Sequence, residues 1–140
     1  MKFYFIDTNI ILDLLADRKP FSKNAEHLFV LAEEKKIRLY CSIISFNNIY
    51  YILKKELGHK KTIPILNLLK QQVHIIDFDK NILLKAMDSD FQDFEDAIQH
   101  FSALTNQNIE CIVTRNEKDY KHSNLLILTP DLALYRLLSE

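Results

Sequence analysis

Short apolar, β-branched runs alternate with helical patterns along the whole chain, and this alternation restricts the fold more than any single residue. Lys2–Ile6 predicts a buried first strand, and Asn9–Ala16 has the apolar density of a short helix. Beyond Pro20, Ser22–Lys36 predicts an amphipathic helix with Ala25, Leu28, Phe29 and Ala32 on one face. Ile37–Cys41 reads as a second strand, and Ser45–Leu57 as a helix stopped by Gly58. Lys61–Gln72 reads as a helix that keeps Pro64 in its first turn. Val73–Ile76 is a third strand, and Asp79 caps a helix reaching Met87. Asp93–Thr105 is a further helix, Ile109–Thr114 and Leu125–Leu128 are strands, and Thr129-Pro130 opens a last helix. Such a succession predicts an α/β fold with a parallel sheet covered on both faces. Ligands of these sheets bind beyond the carboxyl ends of the strands, at a topological switch point. Asp7-Thr8-Asn9 and Thr114-Arg115-Asn116 occupy such places.

The chain has 140 residues, the size of one domain, and no linker or repeat divides 1–140. A chain of this size buries roughly two-thirds of its unfolded surface, so its core needs no metal or disulfide. Cys41 and Cys111 lie in apolar runs and read as buried free thiols, and without a signal peptide this points to a reducing cytoplasm. No apolar run approaches the roughly 18 residues that suggest a membrane span. The net charge of −1 argues against a strong non-specific nucleic-acid binder. Gly58 is the one glycine, which excludes glycine-rich phosphate loops and dinucleotide fingerprints. Phosphate chemistry must therefore run through side chains or metal ions.

Three groups of residues offer such chemistry. Asp7 ends the first strand next to a helix start, where a carboxylate can hold a cation or cap the helix. Asp88, Asp90, Asp93, Glu95 and Asp96 place five acids in nine residues. Their repulsion calls for cations or water. Asp93 and Glu95 suit the positive end of a helix dipole, whereas Asp96 lies nearer the core beside Ala97. His100, four residues on, is placed to share a ligand with Asp96 or to pack as an ordinary histidine. In Val113–Tyr120, Arg115 offers a planar guanidinium that can steer a phosphate or neutralise a nearby acid, and both readings stay open.

Four segments together carry a resemblance. They are DTN at 7–9, SIISFNNIYYIL at 42–53, DFEDAIQ at 93–99, and IVTRNEKDY at 112–120 followed by ILTP at 127–130. In order and spacing, over nearly the whole chain, this resembles the PIN-domain family. The likeness is to its bacterial, PilT N-terminus-like branch, which includes VapC-like toxins. The resemblance implies a three-layer α/β/α fold with a five-stranded parallel sheet in order 3-2-1-4-5. It also implies an acidic cluster that binds Mg²⁺ or Mn²⁺ and an endoribonuclease, possible toxin of a toxin–antitoxin pair. Asp7 matches the family's first acid and Asp96 its third. Asn48 and Asn116 stand where many members carry carboxylates, and an amide oxygen coordinates a hard cation without bringing charge.

The catalytic set implied is thus Asp7, Asp96, Asn48 and Asn116. Asp93, Glu95 or Asp119 would compensate for missing charge, and Asp7, Asp93, Asp96 and Asp119 are the metal candidates. Thr8, Arg115 and Lys118 are the substrate-binding candidates, with Tyr50 or Tyr120 available to stack bases or to pack in the core or rim. RNA, an antitoxin and a second copy of the chain are the partners implied, with no membrane. A different class, an idle module that keeps the fold and binds RNA or protein, is favoured by the two amides. A haloacid-dehalogenase-type phosphatase wants a second Asp where Asn9 stands, and a receiver domain wants a lysine near Arg115.

Overall fold

The computed structural model describes residues 1–139. Five strands form its sheet: β1 (Lys2–Ile6), β2 (Ile37–Ser42), β3 (His74–Ile76), β4 (Ile109–Val113) and β5 (Leu126–Leu128). All the pairings are parallel and the order is β3-β2-β1-β4-β5. The order reverses beside β1, so the crevice at its carboxyl end lies at the switch point between β1 and β4.

Seven helices complete the described residues: α1 (Thr8–Leu15), α2 (Ser22–Glu33), α3 (Ile43–Leu57), α4 (His59–Gln72), α5 (Lys80–Met87), α6 (Phe94–Leu104) and α7 (Pro130–Leu138). Alternation along the strands divides the core into two faces. Tyr4 and Ile6 of β1, Leu39 and Cys41 of β2, and Cys111 and Val113 of β4 pack with α1, α2, α3, α4 and α7. Phe5, Tyr40 and Ile112 point the other way, towards Ala103 of α6 and Tyr120. Ile82 and Ala86 of α5 pack on Ala97 and Ile98 of α6. The result is the three-layer α/β/α arrangement. Cys41 and Cys111 are free and buried, and burial pushes both thiols up to about 12. No helix among the described residues is long and apolar enough to cross a membrane.

Most element boundaries follow the sequence pattern, with two informative departures at the starts of α4 and α6. Helix α4 starts at His59, two residues before the expected start, so Pro64 lies in its second turn. Pro64 cannot donate to the carbonyl of Lys60. Both residues are exposed, so water can satisfy that oxygen. Gly58 joins α3 to α4 at φ 77° and ψ 169°, a backbone region essentially reserved for glycine. Helix α6 begins at Phe94, and Asp93 is its extended N-cap rather than its first helical residue.

Candidate functional site

The carboxyl ends of β1 and β4 bring the segments at 7–9 and 112–120 together. The backbone N–H of Asp7 donates to the carbonyl of Val113 at 3.0 Å, and that of Thr114 donates to Leu128 at 2.9 Å. Sheet pairing thus continues one residue past each strand and fixes Asp7 beside Thr114. Asp7 is buried, and its two carboxylate oxygens do different work. Oδ1 accepts the N–H of Asn9 at 3.1 Å and caps α1. Oδ2 accepts the hydroxyl of Thr114 at 2.8 Å. The helix-capping and site readings of Asp7 therefore hold together, because a carboxylate has acceptor capacity for both.

A hydroxyl links this acid to the one on α6. The Tyr120 OH lies 3.3 Å from Oδ1 of Asp96 and 3.5 Å from Oδ2 of Asp7. Gln99 donates through Nε2 to the Tyr120 oxygen at 3.2 Å, and its Oε1 accepts the N–H of Thr8 at 3.0 Å. The Thr8 hydroxyl donates to the same Oε1 at 3.2 Å and stands 2.6 Å from the hydroxyl of Ser45. One proton on each hydroxyl satisfies a directed chain from Ser45 through Thr8 and Gln99 to Tyr120, whose single proton serves one carboxylate at a time, Asp96 being the nearer. Ser45, Gln99, Thr114 and Tyr120 are buried, so the chain is a rigid wall of the site.

The electrostatics are those of crowded acids. Burial raises Asp7, helped by the charge of Glu95, while hydrogen bonds from Asn9, Thr114 and Gln99 pull it down. Burial pushes Asp96 up to about 7, and the charges of Asp7, Asp93 and Asp119 add to the shift. The Tyr120 bond opposes it. Four carboxylates from three separated segments are thus felt at one point. Among the described residues, no group of three or more His, Cys, Asp or Glu side chains is arranged to hold a metal ion. The donors are two half- to fully buried carboxylates with neutral oxygens around them. They fit a hard divalent cation that keeps several waters, as Mg²⁺ does, rather than an all-protein cage.

A model of the PIN domain matches residues 4–118. The chain belongs to the PIN domain family. Ribonuclease VapC1 of Aquifex aeolicus (strain VF5) is 25% identical to this PIN domain over 132 residues, covering 91% of this chain and 90% of that protein. Among solved structures, VapBC2 of Rickettsia felis bound to a promoter DNA fragment has a TM-score of 0.65 at 20% identity. That match covers 91% of this chain and 98% of the other. VapBC-1 of nontypeable Haemophilus influenzae has a TM-score of 0.64 at 20% identity, covering 92% and 98%. VapC20 of Mycobacterium tuberculosis, a sarcin–ricin loop cleaving toxin, has a TM-score of 0.60 at 17% identity, covering 78% and 86%.

The other candidate residues of this PIN domain fall at varying distances from the chain of hydrogen bonds. Asn48 is half-buried on α3, one helical turn beyond Ser45. Asn116 is exposed, and its backbone N–H donates to the Thr114 hydroxyl at 3.1 Å. Asp93 is exposed and accepts the N–H of Asp96 at 2.9 Å, so one of its oxygens serves α6. Lys118 and Asp119 are exposed on the 3₁₀ turn Glu117–Tyr120.

At three residues the packing selects between readings that the sequence left open. Arg115 is committed to Asp13, with Nε 2.7 Å from Oδ2 and Nη2 3.0 Å from Oδ1. Asp13 is 1% exposed and requires that countercharge, so phosphate steering is not the guanidinium's first task. Tyr120 is buried and shares its hydroxyl with the acids, which leaves no face for a base. His100 is bonded through Nδ1 to Ser123 at 2.9 Å, packs on the Phe91 ring and is lowered to about 4 by burial, as an ordinary packed histidine. Sequence reasoning passed over Ser45, Gln99 and Asp13. Gln99 had a signal, lying one helical turn from Asp96, and Ser45 lies one turn before Asn48. Asp13 had none, because its partner comes from the far end of the chain.

Proposed function

We propose that this PIN domain is a divalent-metal-dependent endoribonuclease and the toxin of a toxin–antitoxin pair. The observation that carries the reading is the convergence of Asp7 and Asp96 on the Tyr120 hydroxyl at 3.5 and 3.3 Å. These acids come from distant segments and repel one another, an arrangement that a bound cation relieves. Asp7 and Asp96 would hold Mg²⁺ or Mn²⁺, with Asp93 and Asp119 adding negative charge at the mouth. When bound, the ion supplies Lewis-acid charge at the scissile phosphate.

The chain's own residues do the positioning. Tyr120 and Thr114 hold the facing oxygens of Asp96 and Asp7 in place. Gln99 orients Tyr120, and Thr8 and Ser45 fix Gln99. Asn48 and Asn116 would position water or phosphate oxygens, since an amide offers both donors and an acceptor. Lys118 is a rim cation for a flanking phosphate. No side chain is required as a nucleophile, because water attacks phosphorus directly. The likeness to VapC1 and to VapBC assemblies supports RNA as substrate and an antitoxin as partner. Exposed apolar side chains on α3 to α5, including Tyr51, Leu68, Leu84 and Met87, support a further association with a second copy. The buried free thiols suit a reducing cytoplasm.

The test is incubation of nuclease-free protein with mixed single-stranded RNA in Mn²⁺ and in EDTA, beside Asp7→Asn and Asp96→Asn. Cleavage in Mn²⁺ that disappears in EDTA and in both variants is the expected result. Full activity in either variant, or cleavage indifferent to EDTA, overturns the assignment. The amides at Asn48 and Asn116 favour a second reading, an idle module, which predicts RNA binding without cleavage.

A further inference from the structure

Outside the acidic cluster lies a cavity of about 560 Å³ that the proposed cleavage does not use. Phe21 and Asn24 at the start of α2, Arg115 after β4, and Thr129, Pro130 and Asp131 at the start of α7 line it. It shares the loop after β4 with that site, since Arg115 follows Thr114, whose hydroxyl donates to Asp7. We propose that this cavity takes one unstacked base of the RNA strand next to the scissile phosphate. The inference rests on the RNA part of the proposed function and adds a subsite to it.

The lining supports a base rather than a phosphate. The Arg115 guanidinium lies 3.9 Å over the Phe21 ring, which makes a flat wall. Asp13 grips the guanidinium by two of its nitrogens, so the wall is held in place before any ligand arrives. The same pairing cancels the Arg115 charge, and Asp131 adds a carboxylate to the lining, so an anion gains little here. Phe21 keeps 41% of its surface exposed, and Pro130 supplies a second apolar wall. The Asn24 amide has no hydrogen-bond partner among the described residues, so it is available to a base edge. The volume lies in the range of small-ligand pockets and exceeds what one base requires.

The experiment uses single-stranded RNA decamers and a matched series with one abasic nucleotide moved along the strand. Binding is measured in Mg²⁺ with the Asp96→Asn chain, which keeps the RNA intact, and cleavage is measured with the otherwise unaltered chain. Phe21→Ala should weaken binding about 5- to 100-fold, the range of one aromatic–base stack. Phe21→Tyr should restore it. One abasic position should bind weakly and be indifferent to Phe21→Ala. In cleavage, KM should rise while kcat at saturation holds.

Asn24→Ala should alter base preference at that position, and it keeps the test open if Phe21→Ala fails to fold. Affinity unmoved by Asn24→Ala and by every abasic position overturns the slot and leaves the cavity to a protein partner. Base binding that depends on Phe21 in a chain that never cleaves RNA upholds the slot and removes the nuclease reading. Cleavage that ignores Phe21, Asn24 and every abasic position does the reverse.

Discussion

Replacing Asp96 with Asn should stabilise the metal-free protein while abolishing its cleavage of RNA. In the fold Asp96 titrates at about 7, against an ordinary 3.8, chiefly through burial and then through the charges of Asp7, Asp93 and Asp119. A shift of this size has a ceiling of about 4 kcal/mol. Asp96 is only half-buried, so screening by solvent reduces the expected effect to about 1–2 kcal/mol.

The sign follows from proton binding. Between about pH 4 and pH 7 the unfolded chain has released a proton that the folded chain still holds. Wild-type stability from this group is therefore lost as pH rises through that window. The amide of the Asp96→Asn variant carries no charge and still accepts from Tyr120, so the variant escapes the loss. Thermal melts in EDTA should show no gap near pH 4 and a gap opening to roughly 3–7 °C by pH 8. High salt should narrow the gap by screening the repulsive part. Mn²⁺ should reverse the order, raising the melting temperature of wild type and leaving the variant nearly unmoved. A gap that is constant with pH, or Mn²⁺ stabilisation equal in both proteins, refutes the reasoning.

Tyr120→Phe removes the hydroxyl that joins Asp7 to Asp96 and leaves Gln99 short of an acceptor. Mn²⁺ affinity by calorimetry should fall about 10- to 100-fold, with the RNA KM little changed. An unchanged metal affinity would show that the bridge has no positioning role. Arg115→Ala strands the buried Asp13 with Arg18, 3.8 Å away, as its one cation among the described residues, and should cost about 3–5 kcal/mol in urea unfolding. A loss below about 1 kcal/mol would mean that the pair is solvated rather than buried. His100 is lowered from 6.5 to about 4 in the fold, so stability should be full above pH 6.5 and fall between there and pH 4. The loss should reach about 1–3 kcal/mol and flatten in His100→Gln, and identical acid profiles for the two proteins would rule it out.

Local pattern was enough for the strands and helices. Periodicity within a short window marks Tyr4 and Ile6 as one face and Phe5 as the other, and the two core clusters divide along that alternation. Boundaries moved where a side chain served as a cap, as at Asp93, because capping depends on one hydrogen bond that composition does not reveal. Alternation alone implied a parallel sheet without its strand order. That order came from the family resemblance.

The acids were visible as residues, but their chemistry was not. Asp7 faces Asp96 because β1 lies next to β4 in the sheet and α6 crosses the opposite layer. Gln99 and Ser45 enter the site because each is the buried neighbour, one turn away, of a residue that sequence had singled out. Arg115 could meet a phosphate or an acid on sequence alone, and Asp13 of α1, a buried carboxylate that must be paired and lies 2.7 Å away, decides for the acid. Sequence by itself determined the elements and the inventory of charges. Tertiary structure decided the partners, because burial and proximity set which charges stay free, and both arise only when distant segments pack.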